Sequence, residues 1–229
     1  MSKATALIPA AGIGKRMARA VAKQFLPLGD KPLLAYTLLA FQRAPEIDEI
    51  IPILPQEEME LCLKDIVEHF HITKVRTLVA GGKERQDSVY QGLMKLEDDT
   101  DVVLVHDGVR PFVTHDMIRE CVERAKKGEC IAVGVPLKDT MKEVNAEGMV
   151  KKTLERSRLW AIQTPQAFPA KTLKRVYEES FAQHLHGTDD ATFVERAGIP
   201  VRVIMGSYEN IKVTTPEDLL LAEEIIKRR

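Results

Sequence analysis

Three cysteines in 229 residues, Cys62, Cys121 and Cys130, make an odd number with no Cys-x-x-Cys spacing. A reduced interior is therefore expected rather than a disulfide framework. Charge of one sign is also missing. The formal net charge of -1 removes the broad positive field that a general nucleic-acid binder needs. Any anion must be held by a local cluster instead. No run approaches the ~18 apolar residues of a membrane span, and no long apolar signal region stands near the first residue. Neither nucleic acid nor membrane is expected as a partner, and a cytoplasmic location is. Histidines at ligand spacing are absent as well: His69 and His71, like His184 and His186, are two apart and point away from one another on a helix. No repeat, no low-complexity linker, and no Ser-His-Asp or Cys-His arrangement is found.

What remains is an ordinary globular composition, 45% apolar and 29% charged, in a chain long enough for one or two domains. Short apolar or β-branched runs at Thr5–Ile8, Glu49–Leu54, Val75–Val79, Val102–His106 and Cys130–Val135 read as strands. Between them, Leu33, Leu34, Thr37, Leu38 and Phe41 form a helical stripe opened by Pro32. Glu57–His69, Glu84–Leu96 and Asp116–Lys126 read as further helices. Thr215-Pro216-Glu217-Asp218 supplies a cap, a proline and early acids for a last helix reaching Arg229. Alternation of this kind predicts β-α-β units on a mainly parallel sheet, with ligands at the carboxyl ends of its strands. Leu137 to Arg158 breaks the pattern. Thr140–Val144 and Met149–Leu154 alternate across Asn145-Ala146-Glu147-Gly148 as a hairpin does. A lone hairpin is marginal in water, so this one is expected to pack on something, such as a second subunit.

The first strand runs into Pro9-Ala10-Ala11-Gly12-Ile13-Gly14-Lys15-Arg16-Met17, with Lys23 beyond. Two glycines allow a tight turn and close approach to a ligand, and successive N–H groups can converge on phosphate oxygens. The dinucleotide fingerprint lacks its third glycine here, and the Walker spacing is absent. Arg16 and Lys23 add fixed positive charge, which suits a nucleoside triphosphate better than a dinucleotide. Asp107 ends a buried strand, where a carboxylate can hold Mg²⁺ with substrate phosphates and water. It can equally begin a turn or pair with Arg110. His106 reads as a packed strand-end residue. Gly81-Gly82-Lys83-Glu84-Arg85 can close over a base or sugar, or be a plain turn. Further polar clusters stand at element junctions: Arg156, Thr164-Pro165-Gln166, Gly187-Thr188-Asp189-Asp190 and Asn210 to Thr214.

Together PAAGIGKRM (9–17), KQFLPL (23–28), GGKERQDSV (81–89), VHDGVRPF (105–112), PLKDT (136–140), LWAIQTPQAF (159–168), GTDDA (187–191) and NIKVTTPEDL (210–219) resemble the 2-C-methyl-D-erythritol 4-phosphate cytidylyltransferase family. They follow the family's order over nearly the whole chain. Gly108-Val109 stands where Ala-Ala is more usual and Asp30 where Gly often precedes Lys-Pro, and both exchanges leave the family's charged positions intact. The resemblance implies one Rossmann-like nucleotidyltransferase domain over residues 1–229, a three-layer α/β sandwich with an extended β-arm at 137–158 clasping a second copy in a homodimer. It implies CMP transfer from CTP to 2-C-methyl-D-erythritol 4-phosphate, with Mg²⁺. Ala10, Ala11, Gly12, Gly14, Gly82 and Ser88 would bind the nucleotide, and Asp107 the metal. Arg16, Lys23 and Lys212 would serve the reaction centre. Arg110, Thr140, Arg156, Thr164 and Thr188 would hold the acceptor. The sequence alone leaves three competitors: a cytidylyltransferase for ribitol 5-phosphate or a related polyol phosphate, an NAD-dependent oxidoreductase argued from the glycines alone, and a non-catalytic nucleotide-binding module.

Overall fold

The computed structural model describes residues 2–12 and 22–229. Gly14 and Arg16 therefore lie outside the described residues. Strand β1 (Lys3–Pro9) alternates its side chains between two cores, and a short hairpin of β2 (Pro27–Leu28) and β3 (Lys31–Pro32) precedes helix α1 (Leu33–Arg43). Strand β4 (Glu49–Leu54) follows, then α2 (Met59–Cys62), which continues as a wider π-helical stretch over Leu63–Glu68. Next come β5 (Val79–Ala80), α3 (Arg85–Leu93), β6 (Thr100–Val105), α4 (His115–Ala125) and β7 (Cys130–Pro136). A hairpin of β8 (Lys142–Val144) and β9 (Val150–Thr153) leads to β10 (Trp160–Pro169), α5 (Ala170–Ala182), α6 (Asp190–Arg196), β11 (Val201–Met205) and α7 (Pro216–Ile226).

Seven strands form one sheet in the order β11-β7-β10-β6-β1-β4-β5. All its pairings are parallel except those of β10, which runs antiparallel to both neighbours. The mainly parallel α/β sheet expected from the sequence is therefore present, with one inserted reversal. Strand alternation feeds two layers of helices. Ala4, Ala6 and Ile8 pack with Leu34, Leu38 and Phe41 of α1 and Ile118, Cys121 and Val122 of α4. Leu7, Val103 and Val105 face the other way, onto Val89 and Leu93 of α3 and Leu173, Val176 and Tyr177 of α5. Each wholly buried Phe, such as Phe41 or Phe168, contributes about 1.5–3 kcal/mol by leaving water. Helix α7 seals a third cluster against Leu28, Leu33 and Phe112. Its start is as expected: Thr215 caps Asp218 N–H, Asp218 reaches back, and Pro216 takes the first turn.

The strand expected at Val75–Val79 is reduced to Val79–Ala80 and a single bridge from Val75 to Ile50. Among the described residues this edge strand pairs with β4 alone, and Arg76 and Thr77 are exposed. The hairpin β8–β9 exists as expected, slightly shorter, and its strands pair only with each other among the described residues. Every residue in both strands is exposed.

Candidate active site

The order of strands reverses at β1. The chain steps outward from β1 to β4 and β5, then returns to place β6 on the other side of β1. In open α/β sheets such a reversal leaves a crevice at the carboxyl ends of the strands. A cavity of about 510 Å³ lies there. Ala10, Ala11 and Gly12 after β1, Gly82 to Arg85 after β5, Asp107 after β6, and Lys23 and Lys212 from flanking segments line it.

Small residues set how closely the two loops meet. A Cβ added at Gly81 would lie 2.4 Å from the Ala11 Cβ, and one at Gly82 would lie 2.3 Å from the Asp87 Cβ. Ser88 fastens this loop from inside: its hydroxyl accepts from Gly82 N–H at 3.1 Å and donates to Glu84 C=O at 3.0 Å. Backbone bonds from Ala10 to Ile53 and from Gly81 to Leu54, both 2.8 Å, tie both loops to β4.

Asp107 forms the charged floor. Its Oδ1 accepts from Arg85 Nε at 3.3 Å, and its Oδ2 from Arg110 Nε at 3.3 Å and Lys212 Nζ at 2.9 Å. Burial opposes the charge of this carboxylate, yet Arg85, Lys212 and Arg110 outweigh it and hold the group well below the usual carboxylate range. A hydrogen-bond relay fixes its backbone. Asp107 N–H donates to Thr164 Oγ1 at 3.0 Å, Thr164 lies 3.1 Å from His106 Nδ1, and His106 Nε2 lies 3.0 Å from Arg110 C=O. The carbonyl can only accept, so Nε2 carries the proton and Nδ1 accepts from Thr164. Burial pushes His106 down to about 4, and the ring stays neutral. His106 is thus the packed strand-end residue expected.

The segment carrying Lys212 is seated by long-range bonds. Arg110 Nη1 donates to Asn210 C=O at 2.8 Å, Asn210 Nδ2 to Thr164 C=O at 2.9 Å, and Val213 N–H to Val109 C=O at 2.9 Å. These bonds tie Asp107, Lys212 and the wall around Thr164 together.

Of the residues singled out in the sequence, Ala10, Ala11, Gly12, Lys23, Gly82, Ser88, Asp107 and Lys212 converge on this cavity. Arg110 stands behind Asp107. Thr164 is 4% exposed and its hydroxyl is committed within the wall, so it positions Asp107 instead of presenting a free hydroxyl. Thr188 is exposed ahead of α6, 3.2 Å from the Thr192 hydroxyl. Thr140 and Arg156 sit at the base of the hairpin, both exposed and away from the cavity lining; Arg156 donates to Lys138 C=O at 2.5 Å. Lys83, Arg85 and Asp190 stand in named segments of the sequence without a role of their own, and Lys83 lines the cavity. Arg85 lines the cavity, and Asp190 lies buried behind it as a bidentate partner. Arg85 was visible as a charge in the Gly-Gly segment. Its partner Asp190 was visible as part of the Gly187-Thr188-Asp189-Asp190 cluster, but nothing local pairs it with a residue 105 positions away.

Among the described residues, no three His, Cys, Asp or Glu side chains group to hold a metal by themselves. The cavity offers instead one ionised, hard-oxygen carboxylate beside lysine and arginine. That donor set fits Mg²⁺ arriving with phosphates, which then supply most of its shell.

Comparison with known proteins agrees with this layout. A family profile for 2-C-methyl-D-erythritol 4-phosphate cytidylyltransferase matches residues 4–228. The protein of that name from Alkaliphilus metalliredigens is 48% identical over 228 residues, covering 100% of this chain and 95% of its own. The one from Geotalea uraniireducens is 49% identical over 227 residues, covering 98% and 97%. The solved 4-diphosphocytidyl-2C-methyl-D-erythritol synthase of Anaerococcus prevotii superposes with a TM-score of 0.88 at 33% identity, covering 99% and 97%. No helix among the described residues is long and apolar enough to cross a membrane.

Proposed function

The chain belongs to the 2-C-methyl-D-erythritol 4-phosphate cytidylyltransferase family, and from that premise we propose how its cavity performs the reaction. CMP passes from CTP to 2-C-methyl-D-erythritol 4-phosphate, giving 4-diphosphocytidyl-2-C-methyl-D-erythritol and pyrophosphate, a step toward isoprenoid precursors. The observation that carries the mechanism is charge. Among the described residues, Lys23, Lys83, Arg85 and Lys212 line the cavity against Glu84 and Asp107.

The acceptor phosphate is already ionised near neutral pH, so the site needs no strong general base. An acceptor oxygen bonds to the α-phosphorus while the bond from that phosphorus to the bridging oxygen breaks. Pyrophosphate leaves with the electron pair. One anion attacks another, and positioned cations lower the barrier most. Lys23, beside Gly12, meets the triphosphate, and Lys212 meets the reacting phosphates. Ala10 to Gly12 and Gly82 admit the nucleoside closely. Mg²⁺ bound with the triphosphate through Asp107 would neutralise phosphate charge. Arg110 and Thr164 keep that carboxylate in place, and Thr188, Thr140 and Arg156 contribute to the acceptor side. Gly14 and Arg16 belong to the nucleotide loop by sequence. The test is product formation with CTP against ATP, GTP and UTP. Equal use of all four would contradict a site shaped for cytidine.

The hairpin completes a homodimer in this reading. Its exposed Met141, Val144, Met149 and Val150, the last two 68% and 59% exposed, leave apolar surface on a two-stranded element that is marginal alone. A symmetric dimer would exchange arms equivalently and bring Thr140 and Arg156 of one subunit to the other's cavity. Replacing residues 137–158 by a Gly-Ser turn is expected to give a monomer that binds CTP but barely uses the acceptor. Sedimentation and acceptor kinetics check both halves. A monomeric wild type, or normal acceptor kinetics without the arm, would refute it.

A further inference from the structure

The first turns of α3 reach both ways along the site. Ser88 holds the Gly82 loop on the nucleotide side. On the other side, Gln86 Oε1 accepts from Gly187 N–H at 3.1 Å, and Arg85 Nη1 and Nη2 donate to Asp190 Oδ1 and Oδ2 at 3.2 and 2.7 Å. Arg85 Nε meanwhile reaches Asp107. Asp190 is wholly buried, and so is Tyr177, whose hydroxyl donates to Asp190 Oδ1 at 2.5 Å. Neither lines the cavity. A buried carboxylate is costly to desolvate, and here a bidentate guanidinium and a phenol offset that cost. Burial, then the Asp190 charge, hold the Tyr177 hydroxyl well above its ordinary value, so it remains a donor.

Asp190 opens α6, directly after the 187–189 segment and its Asp189 cap. Arg85 opens α3, directly after the nucleotide loop. One ion pair thus joins the starts of two helices, α3 behind the cavity-lining Gly82 loop and α6 behind the 187–189 segment.

We propose that Asp190 and Tyr177 are positioning residues that lock Arg85 and thereby couple nucleotide binding to the order of the 187–190 segment on the acceptor side. The inference rests on the reaction assigned above only in naming that side. CTP bound against the glycine loops and Asp107 fixes Arg85; Arg85 then fixes Asp190 and the segment ahead of it. The substrates would communicate through this pair without either touching Asp190.

The test uses Asp190→Asn and Tyr177→Phe in the full chain, with CTP as the probe. Asp190→Asn removes one negative charge near the cavity cations, so CTP affinity should stay equal or rise. The acceptor KM should rise about tenfold, the scale of one lost charged hydrogen bond. Tyr177→Phe keeps the ring packing and the charge. It should leave CTP affinity within about twofold and raise the acceptor KM roughly threefold, the scale of a weaker hydrogen bond. Hydrogen exchange supplies a readout independent of turnover: CTP should slow exchange at 187–190 in the wild type and much less in both variants. Wild-type exchange unaffected by CTP would overturn the coupling, as would both KM values moving by one common factor in the variants. If Asp190→Asn does not fold, Tyr177→Phe decides by the same criteria. If the wild type shows CTP-dependent protection but no turnover with this acceptor, the reaction assignment fails and the coupling stands.

Discussion

Lys23→Ala should fold normally and lose roughly 10²–10³-fold in turnover, the range for one positioned donor at a developing charge. Lys23 lines the cavity, and its ammonium lies 3.7 Å from where a Cβ on Gly12 would stand. It therefore sits over the glycine loop where phosphates must pass. Its side chain belongs to none of the three hydrophobic clusters, so melting should change little. The loss should fall mainly on kcat, because charge builds most at the α-phosphorus in the transition state. Arginine should restore little, since a planar fork and a compact ammonium present charge differently. By its place in the sequence motif, Arg16→Ala should behave likewise. Wild-type turnover in both purified variants would remove the cation-centred mechanism.

Asp107→Asn is expected to be the other severe change. Removing this charge leaves Arg85, Arg110 and Lys212 clustered without their shared counter-ion. Breaking a buried pair from one side commonly costs about 3–5 kcal/mol. Urea unfolding should therefore report a less stable variant, and turnover at moderate Mg²⁺ should fall by roughly 10²-fold, the scale for one lost electrostatic contact at a reacting phosphate. Metal and CTP binding should weaken together, and raising Mg²⁺ should recover part of the rate. EDTA should abolish wild-type activity. Unchanged turnover in EDTA would show that Asp107 has no metal role.

The main layers were legible because strands buried on both faces read as continuous apolar runs. Glu49–Leu54 is the clearest case: all six residues are buried, and its bounds match the expectation. Strand β10 escaped because Thr164-Pro165-Gln166, with Gln163 before it, reads as a polar cluster at an element junction. Those polar groups are buried and find distant partners: Gln163 donates to Ser207 C=O, and Gln166 both donates to Asp189 and accepts from Ala191 N–H. No local pattern announces such pairings. The site followed the same division. Glycines that permit close approach and cations after strand ends stand together in the sequence, so Gly12, Lys23, Gly82 and Asp107 could be found. Arg85 and Asp190 draw their significance from a contact across the fold. For Thr164 the resemblance implies a place on the acceptor side, and nothing in the local sequence shows that its hydroxyl bridges Asp107 N–H and His106. That bridge is buried and joins positions 57 and 58 residues apart in the chain.

The central claim is that this cavity joins CTP to one particular polyol phosphate. Its most direct test is pyrophosphate release from CTP and Mg²⁺ with 2-C-methyl-D-erythritol 4-phosphate or ribitol 5-phosphate as acceptor. Rapid, stoichiometric release is expected with the first and a far lower kcat/KM with the second. Equal or greater efficiency with ribitol 5-phosphate, or no release with either, would contradict it.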